Sequence, residues 1–156
     1  MIAGPTDAFD QVAPTKRYRS QEEHDMRDAV ERWGHARWPG ARCVHELVMD
    51  RGKVRADMAF IDQSHFVAIE IKSDVDTTDR LMNQIAMFRL ASPELWIVTT
   101  SRHLRDTGLV TYLFPSVGVA VARRKTYSGP FELSVHKEPS PFIPHPEAML
   151  SLLWVA

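Results

Sequence analysis

The sequence predicts one α/β domain over residues 20–156, preceded by a flexible arm over residues 1–19. Short β-branched or alternating segments joined by turn residues fill the middle of the chain and predict a three-stranded antiparallel meander. A helical segment over residues 79–90 separates the meander from Leu95–Thr100, an apolar run typical of a buried strand with a parallel neighbour. A helix is expected before the meander. After Thr100, a short helix through Leu113, two strands and a last helix are expected.

The composition is that of an ordinary globular protein and excludes several functional classes. The chain has 156 residues, 44% hydrophobic and 25% charged, which is enough to bury a core. The net charge of −1 gives no global attraction to nucleic acid, so any such contact must come from local patches. One cysteine excludes an internal disulfide, and no apolar run is long enough to span a bilayer. We therefore expect an intracellular protein without a membrane partner.

The first helix is predicted from a capping box at Ser20–Glu23. Its apolar stripe comprises Met26, Ala29, Val30 and Trp33. At about 100° per residue, Glu22 lies near the centre of this stripe, so it is a candidate to face the sheet. Acidic residues in a first helical turn are also favoured by the helix dipole alone, and both interpretations stay open.

The strand predicted over residues 67–72 carries two charges among apolar residues. Side chains alternate along a strand, so Glu70 and Lys72 share one face while Ile69 and Ile71 share the other. A carboxylate and an ammonium at a strand end suit phosphodiester chemistry, because the carboxylate can hold a divalent metal and the ammonium can orient an attacking water. Alternating charges on an exposed strand are the alternative.

Counting back through the turns aligns three acidic residues. A two-residue turn at Gln63–Ser64 sets Asp57 opposite Glu70, and a turn at Arg51–Gly52 sets Glu46 opposite Asp57. Adjacent carboxylates are destabilising unless a cation lies among them, and Mg²⁺ is the natural candidate. A slip of one residue in either turn would place the acids in solvent instead.

These motifs resemble the PD-(D/E)xK nuclease superfamily. Asp57, followed by Glu70-x-Lys72 on the next strand, matches its central motif, with Ala56 at the proline position. Gln84–Phe88 resembles its Gln-x-x-x-Tyr element, with Phe in place of Tyr. The resemblance, which is closest to small phage-associated and bacterial endonuclease-like members, covers roughly residues 20 to 100. It implies a restriction-endonuclease-like core of helix, three-stranded antiparallel meander, helix and strand, followed by the C-terminal strands and helix.

The resemblance also implies a metal-dependent nuclease that hydrolyses phosphodiester bonds in DNA and leaves 5′-phosphate and 3′-hydroxyl ends. The cofactor would be Mg²⁺, for which Mn²⁺ can substitute, and the residues assigned to it are Asp57, Glu70, Glu46 and Glu22. Lys72 orients the attacking water, and Gln84 supports the site from its helix. The predicted contacts to nucleic acid are Arg55, Ser73, Arg80 and Asn83, although the helical ones would also suit a solvated surface. RNA, and branched or single-stranded substrates, stay open.

The alternative function is a non-catalytic nucleic-acid-binding or assembly protein that keeps this fold. A last helix from Pro146, carrying Met149, Leu150, Leu153 and Trp154, either covers the core or forms a homodimer contact. The sequence has no metalloprotease motif or Cys–His spacing, and Cys43 has no cysteine to pair with, so the histidines are predicted to be surface or hydrogen-bonded residues. The expected location is the cytoplasm of a bacterial or phage-infected cell.

Overall fold

The computed structural model describes residues 21–140 and 142–150. Its helices are α1 (Gln21–Arg37), α2 (Leu81–Ala91), α3 (Leu104–Leu113) and α4 (Pro146–Leu150). Its strands are β1 (Arg42–Met49), β2 (Val54–Ile61), β3 (Phe66–Lys72), β4 (Glu94–Thr99), β5 (Gly118–Arg124) and β6 (Phe131–Lys137). The predicted arm over residues 1–19 and the first residue of the capping box lie outside the described residues.

The strands form one mixed six-stranded sheet in the order β1-β2-β3-β4-β5-β6. The first three strands are antiparallel to one another, β3, β4 and β5 run parallel, and β6 returns antiparallel to β5. The parallel pairs follow from the helical crossovers through α2 and α3. The fold class is therefore α/β, and the order of elements in the described part follows the predicted order.

Helices cover both faces of the sheet, and a separate apolar cluster is buried on each face. The cluster under α1 includes Met26, Val30, Met58, Phe60, Ile69, Ile71 and Trp96. The cluster under α2, α3 and α4 includes Val54, Ala56, Ala68, Leu81, Ile85, Phe88, Ile97, Val110 and Ala148. Because side chains of β3 alternate between these clusters, Glu70 and Lys72 project on the same side as Ala68, towards α2.

Helix α1 approaches the sheet closely where β2 passes beneath it. A Cβ atom built on Gly34 would lie 2.1 Å from Cζ of Phe60, so only glycine fits at this crossing. This contact sets how closely the C-terminal half of α1 packs on β2.

Both predicted turns of the meander form. In the first, Gly52 has φ 87, and Met49 pairs with Val54 on either side of the turn. In the second, the N–H of Asp62 donates to the carbonyl of His65 at 3.0 Å. The predicted registers are therefore correct, and by continuation of the two ladders Asp57 lies opposite both Glu46 and Glu70.

The β1–β2 hairpin twists sharply at Glu46 and Asp57. Met58 belongs to the cluster under α1, whereas Ala56, two residues earlier and therefore expected on the same face, belongs to the cluster under α2. Glu46 has φ 53, in the left-handed region, which costs a non-glycine residue about 1–3 kcal/mol. The change of face therefore coincides with the two acidic residues.

The start of α2 differs from the prediction. A helix capped by Thr77 or Thr78 and beginning near Asp79 was expected, but α2 begins at Leu81 with Arg80 at its N-cap and no side-chain cap. The reason is that the hydroxyl of Thr78 donates to Asp106 Oδ2 at 2.6 Å, while its carbonyl accepts the N–H of Leu81 at 2.9 Å. The capping prediction was wrong because this partner lies on α3.

None of the helices in the described part of the chain is both long and apolar enough to cross a membrane. Helix α4 packs through Ala148 and exposes Leu150. The residues predicted to continue it, 151–156, lie outside the described range, so the homodimer contact stays a prediction.

Candidate active site

Glu70 and Lys72 form an ion pair at the carboxyl end of β3. Their side chains are almost fully buried, with 3% and 9% of each residue exposed. Lys72 Nζ lies 2.8 Å from Glu70 Oε1. Two charges buried on one face of a central strand are costly to desolvate. The pairing of Lys72 with Glu70 therefore offsets part of the cost of burying both charges.

Asp57 lies beside Glu70 at the point where β2 and β3 separate. Met58 and Ile69 are the last residues of the two strands that pair through their backbones. Beyond this pair, Asp57 Oδ2 accepts the backbone N–H of Ile71 at 2.8 Å. The Asp57 carboxylate thus accepts the N–H that a backbone carbonyl of β2 would accept in a continued ladder. This hydrogen bond fixes the carboxylate against the strand that carries Glu70.

Arg27 of α1 supplies a buried cation that the sequence reasoning did not identify. It is 3% exposed, and its Nη2 lies 2.8 Å from Glu46 Oε1 and 3.0 Å from Asp57 Oδ1. Its Nη1 also donates to the carbonyl of Asp57 at 2.9 Å. Arg27 therefore compensates part of the negative charge for which the sequence predicted a metal alone. The available signal was its spacing: Glu23, Arg27 and Val30 recur at helical intervals on the buried side of α1.

The environment raises the pKa of both central carboxyls. Burial, together with the neighbouring charge of Asp57, raises the pKa of Glu70 to about 7 despite the attraction of Lys72. Burial also raises the pKa of Asp57, against the hydrogen bond from Ile71 and the attraction of Arg27. For Arg27, burial opposes the charged form, but the attraction of Asp57, Glu46 and Glu23 outweighs it and raises the pKa of the guanidinium. The negative charge of Asp57 and Glu70 is therefore incompletely compensated.

Glu46 is held by two arginines rather than by the other acids. Besides its contact with Arg27, its Oε2 forms an ion pair with Arg55, whose Nε lies 2.8 Å away. Its side chain is 43% exposed, in contrast to those of Asp57 and Glu70. The strand register thus places Glu46 opposite Asp57, as predicted. Its carboxylate, however, contacts the guanidinium groups of Arg27 and Arg55 at the edge of the site.

Glu22 contacts the loop that follows β3. Its Oε1 accepts the backbone N–H of Asp74 at 2.8 Å. The same loop is held by Thr100, which donates to the Asp74 carboxylate, and by Arg102, which donates to the Asp74 carbonyl at 2.6 Å. Glu22 therefore ties α1 to this loop, and its hydrogen bond is to backbone next to the site.

Gln84 lies on α2, on the side of the sheet towards which Glu70 and Lys72 project. It follows the buried Leu81 by three residues and precedes the buried Ile85. Its Oε1 is buried, and no residue in the described part of the chain donates a hydrogen bond to it. A buried amide oxygen without a donor is unfavourable, so this atom is available to a water or ligand.

The four predicted contacts to nucleic acid have different surroundings. Arg55 is exposed and paired with Glu46, while Arg80 and Asn83 are exposed at the start of α2. Ser73 is completely buried, and its hydroxyl and backbone N–H both donate to Asp76 Oδ2 at 2.7 Å. Ser73 therefore stabilises the loop after β3, and its position does not fit direct contact with a phosphate.

A second polar cluster lies on α1 and β1 and was missed by the sequence reasoning. The sequence showed no Cys–His metal spacing, and the histidines were predicted to be surface or hydrogen-bonded residues, but Cys43 Sγ lies 3.8 Å from His45 Nε2. The same nitrogen lies 3.2 Å from Glu31 Oε2. Cys43 and His45 are two residues apart on one strand, which is a signal for a shared face, whereas the approach of Glu31 depends on how α1 crosses β1.

Comparisons with known proteins give one family and one distant structure. No curated protein matches the chain. The structure of SfsA from Pyrococcus furiosus in complex with Ca²⁺ is similar over 76% of this chain, with 14% sequence identity and a TM-score of 0.39. The similar region spans 61% of the SfsA chain.

The family comparison covers most of the chain. The model of the family described as bacteriophage P4 protein cII matches residues 23–156. The matched segment contains α1 from Glu23 onwards and all six strands of the described sheet, and so includes Arg27, Asp57, Glu70 and Lys72. The chain therefore belongs to the bacteriophage P4 protein cII family.

Proposed function

We propose that this protein is a divalent-metal-dependent nuclease of the PD-(D/E)xK type, with a restriction-endonuclease-like core, which hydrolyses phosphodiester bonds in DNA. The observation that carries the proposal is the cluster at the point where β2 and β3 separate, in which Glu70 and Lys72 are buried and Asp57 is half-buried. Buried carboxylates with raised pKa values cost stability, and a bound cation would remove that cost.

The residues present fit Mg²⁺, which prefers oxygen ligands and is usually held by one or two carboxylates plus waters. Asp57 and Glu70 would be the protein ligands, because Glu46 is already bonded to Arg27 and Arg55. We assign Glu46 to holding Arg27, and Glu22 to holding the loop at Asp74. When bound, Mg²⁺ would lower the pKa of a water and neutralise charge on the scissile phosphate. Mn²⁺, which also accepts oxygen ligands, would substitute.

The chain's own groups would orient the reactants. The ammonium of Lys72, fixed by its 2.8 Å contact with Glu70, can donate hydrogen bonds to the attacking water and to a phosphate oxygen. The Oε1 atom of Gln84 can accept a hydrogen bond from an ordered water on this side of the sheet. The Asp57 carboxylate is held in one orientation by the N–H of Ile71, which fixes its position relative to Glu70.

The substrate must approach from a surface of mixed charge, because the net charge of the chain is −1. Arg55 at the rim, with Arg80 and Asn83 at the start of α2, are the proposed contacts to the phosphate backbone. Such contacts position a nucleic acid without reading its sequence. DNA is the proposed substrate class, and RNA is the alternative substrate that a cleavage assay can distinguish from it.

A second candidate function is a non-catalytic nucleic-acid-binding protein with the same fold. Arg27 favours it, because the guanidinium already contacts Asp57 Oδ1 and thereby reduces the gain from a bound metal. In such a protein, Arg27 would take over the structural role of the cation. The two candidates differ in whether metal binding is required for any activity.

The deciding experiment is cleavage of a labelled panel comprising linear duplex DNA, single-stranded DNA, a flap, a four-way junction and RNA. Wild type, Glu70→Gln and Lys72→Met are compared in Mg²⁺, Mn²⁺ and EDTA. We expect cleavage by the wild type in either metal, none in EDTA, and a loss of at least about a hundredfold in both variants, in keeping with the removal of a positioned catalytic group. Glu132→Gln and Lys125→Met, which alter an exposed ion pair between β6 and the residue that follows β5, are the matched controls.

Equal cleavage by wild type and Glu70→Gln, or cleavage in EDTA, would contradict the proposal. If nothing is cut, thermal unfolding with and without Mg²⁺ separates the alternatives. A rise in melting temperature in the wild type but not in Glu70→Gln supports the metal site with a substrate absent from the panel. No rise, together with DNA binding that is unaffected by EDTA, would establish the non-catalytic candidate.

A further inference from the structure

The cluster of Glu31, Cys43 and His45 combines three different metal-ligand chemistries in one place. One ligand atom from each residue lies within 4.8 Å of the other two. All three residues are half-buried, so the side chains are ordered by packing yet reachable by an ion from solvent. None of them belongs to the candidate active site.

The distances within the cluster suit tetrahedral coordination. Zn²⁺ binds Cys sulfur at about 2.3 Å and His nitrogen at about 2.0–2.1 Å, so tetrahedral angles place such ligands about 3.6 Å apart. Cys43 Sγ and His45 Nε2 are 3.8 Å apart. An imidazole nitrogen and a carboxylate oxygen around the same ion would be about 3.4 Å apart, and His45 Nε2 lies 3.2 Å from Glu31 Oε2. Cys43 Sγ and the Glu31 carboxylate lie within 4.8 Å of each other, against about 3.6 Å around one ion, so modest side-chain rotations would bring all three ligand atoms around it.

We propose that Glu31, Cys43 and His45 form a binding site for a thiol-binding transition-metal ion, with Zn²⁺ as the best-fitting ion. Thiolate and imidazole select Zn²⁺ and similar metals, whereas Mg²⁺ and Ca²⁺ prefer sites made of oxygen ligands. The site is therefore chemically different from the pair of carboxylates at Asp57 and Glu70. The two sites would bind different metals in the same chain.

His35 offers a fourth ligand beside the cluster. It lies one helical turn after Glu31 on α1, and its Nε2 is 3.9 Å from Glu31 Oε1. Its side chain is half exposed and its ring packs edge-on against Phe60, so joining the site would require the ring to leave this contact. Four protein ligands would make a structural site, while three would leave a position for water.

The site would fasten α1 to β1. Glu31 and His35 belong to the helix, and Cys43 and His45 belong to the strand. Arg27, which contacts Asp57 and Glu46, lies one helical turn before Glu31 on the same helix. A bound ion would therefore hold the helix that carries the buried cation of the candidate active site.

The chain contains one cysteine, so every thiol signal reports on Cys43. The experiment titrates tag-free Glu70→Gln protein with Co²⁺, because this variant removes one ligand of the carboxylate site. We expect one Co²⁺ per chain, with visible ligand-field bands and a near-ultraviolet thiolate-to-cobalt band, both abolished by one equivalent of Zn²⁺. Zn²⁺ should also protect Cys43 from alkylation, and Mg²⁺ should not.

Variants then test each ligand in the same background. Cys43→Ser should abolish the thiolate band. Glu31→Gln and His45→Gln should each weaken Co²⁺ binding by about tenfold or more, since even outer-shell changes at metal sites cost 10- to 100-fold. His136→Ala, at an exposed position on β6 at the opposite edge of the sheet, is the control and should change nothing.

Two results would overturn the proposal. The first is the absence of a thiolate band together with alkylation of Cys43 that Zn²⁺ does not slow. The second is a band that persists with unchanged affinity in both Glu31→Gln and His45→Gln. Circular dichroism monitors folding of each variant, and if Cys43→Ser does not fold, the alkylation of Cys43 and the two other variants decide the question.

Discussion

Strands β3 and β4 lie side by side in the sheet, run parallel and are almost completely buried, yet they differ sharply in charge. Glu70 of β3 pairs with Ile97 of β4, and Lys72 pairs with Thr99. Strand β4 carries at these positions the uncharged residues expected of a buried parallel strand. The two strands differ in their other neighbour, because only β3 borders β2 and therefore Asp57. Burial alone does not decide whether a strand tolerates charge; the compensating groups supplied by its neighbours do.

The negative charges of Glu70 and Asp57 are compensated by cations from two different elements. Lys72 neutralises part of the charge of Glu70 from the same strand, and Arg27 neutralises part of the charge of Asp57 from α1. The raised pKa values of Asp57 and Glu70 indicate that this compensation is incomplete. Ile97 belongs instead to the apolar cluster under α2, and a carboxylate at this position would be buried next to the like charge of Glu70.

Introducing a carboxylate into β4 should have the largest effect. We expect Ile97→Glu to lower the free energy of unfolding by about 4 kcal/mol or more, because the new group must be buried charged or take up a proton. Urea denaturation measures the change, and Ile97→Leu, which conserves volume, should cost less than about 1.5 kcal/mol. A loss under about 1 kcal/mol for Ile97→Glu would show that β4 tolerates a buried carboxylate as well as β3 does.

Removing the cation from α1 should come next. Arg27→Met should destabilise the protein by about 3–5 kcal/mol, because it leaves buried negative charge without its partner. Adding Asp57→Asn should recover part of this loss, so that the double variant is more stable than the sum of the single changes predicts. Arg105→Met, at an exposed position on α3, should change stability by less than about 0.5 kcal/mol. If the losses in free energy of unfolding for Arg27→Met and Asp57→Asn simply add, the contact between Arg27 and Asp57 does not contribute to stability.

The raised pKa of Glu70 should make stability depend on pH in the metal-free protein. Folding favours the protonated carboxyl, so this contribution is fully present below pH 4.5 and is lost as the pH rises through about 7. The loss is on the order of 3 kcal/mol, and Glu70→Gln should abolish it. Urea denaturation in EDTA between these pH values measures the difference between wild type and variant. If the difference in free energy of unfolding between wild type and variant does not change with pH, the expectation is contradicted. Added Mg²⁺ should reduce the decline in wild-type stability at high pH.

The smallest effect tests why Glu22 occupies the first turn of α1. Glu22→Gln should cost about 1 kcal/mol, because it weakens a charge-assisted hydrogen bond to the N–H of Asp74. Glu147→Gln changes a first-turn acid of α4 that is exposed and therefore reports on the helix dipole alone. Equal effects of the two substitutions in thermal unfolding would assign Glu22 to the dipole rather than to the loop.

The sequence predicted the sheet well because its determinants are local. Turn residues such as Gly52 and Asp62 set the registers, and the alternation of apolar residues along β3 set which side chains are buried together. The alignment of Glu46, Asp57 and Glu70 follows from these two rules. Where a determinant lay on a distant element, the prediction was wrong: the expected Thr78 cap failed because Asp106 of α3 takes its hydroxyl.

By itself, the sequence determined the α/β order of elements, the registers of the meander and the position of Asp57 opposite Glu70. The tertiary structure decided that Arg27 lies among the acids, that Glu46 contacts arginines, and that Cys43 and His45 meet Glu31. The physical reason is that each of these contacts depends on where α1 crosses the sheet and on its rotation about its own axis. Helix propensity and periodicity fix which residues share a face of α1, but not which strand residues that face meets. The close contact of Gly34 with Phe60 fixes the crossing, and with it the surroundings of both clusters.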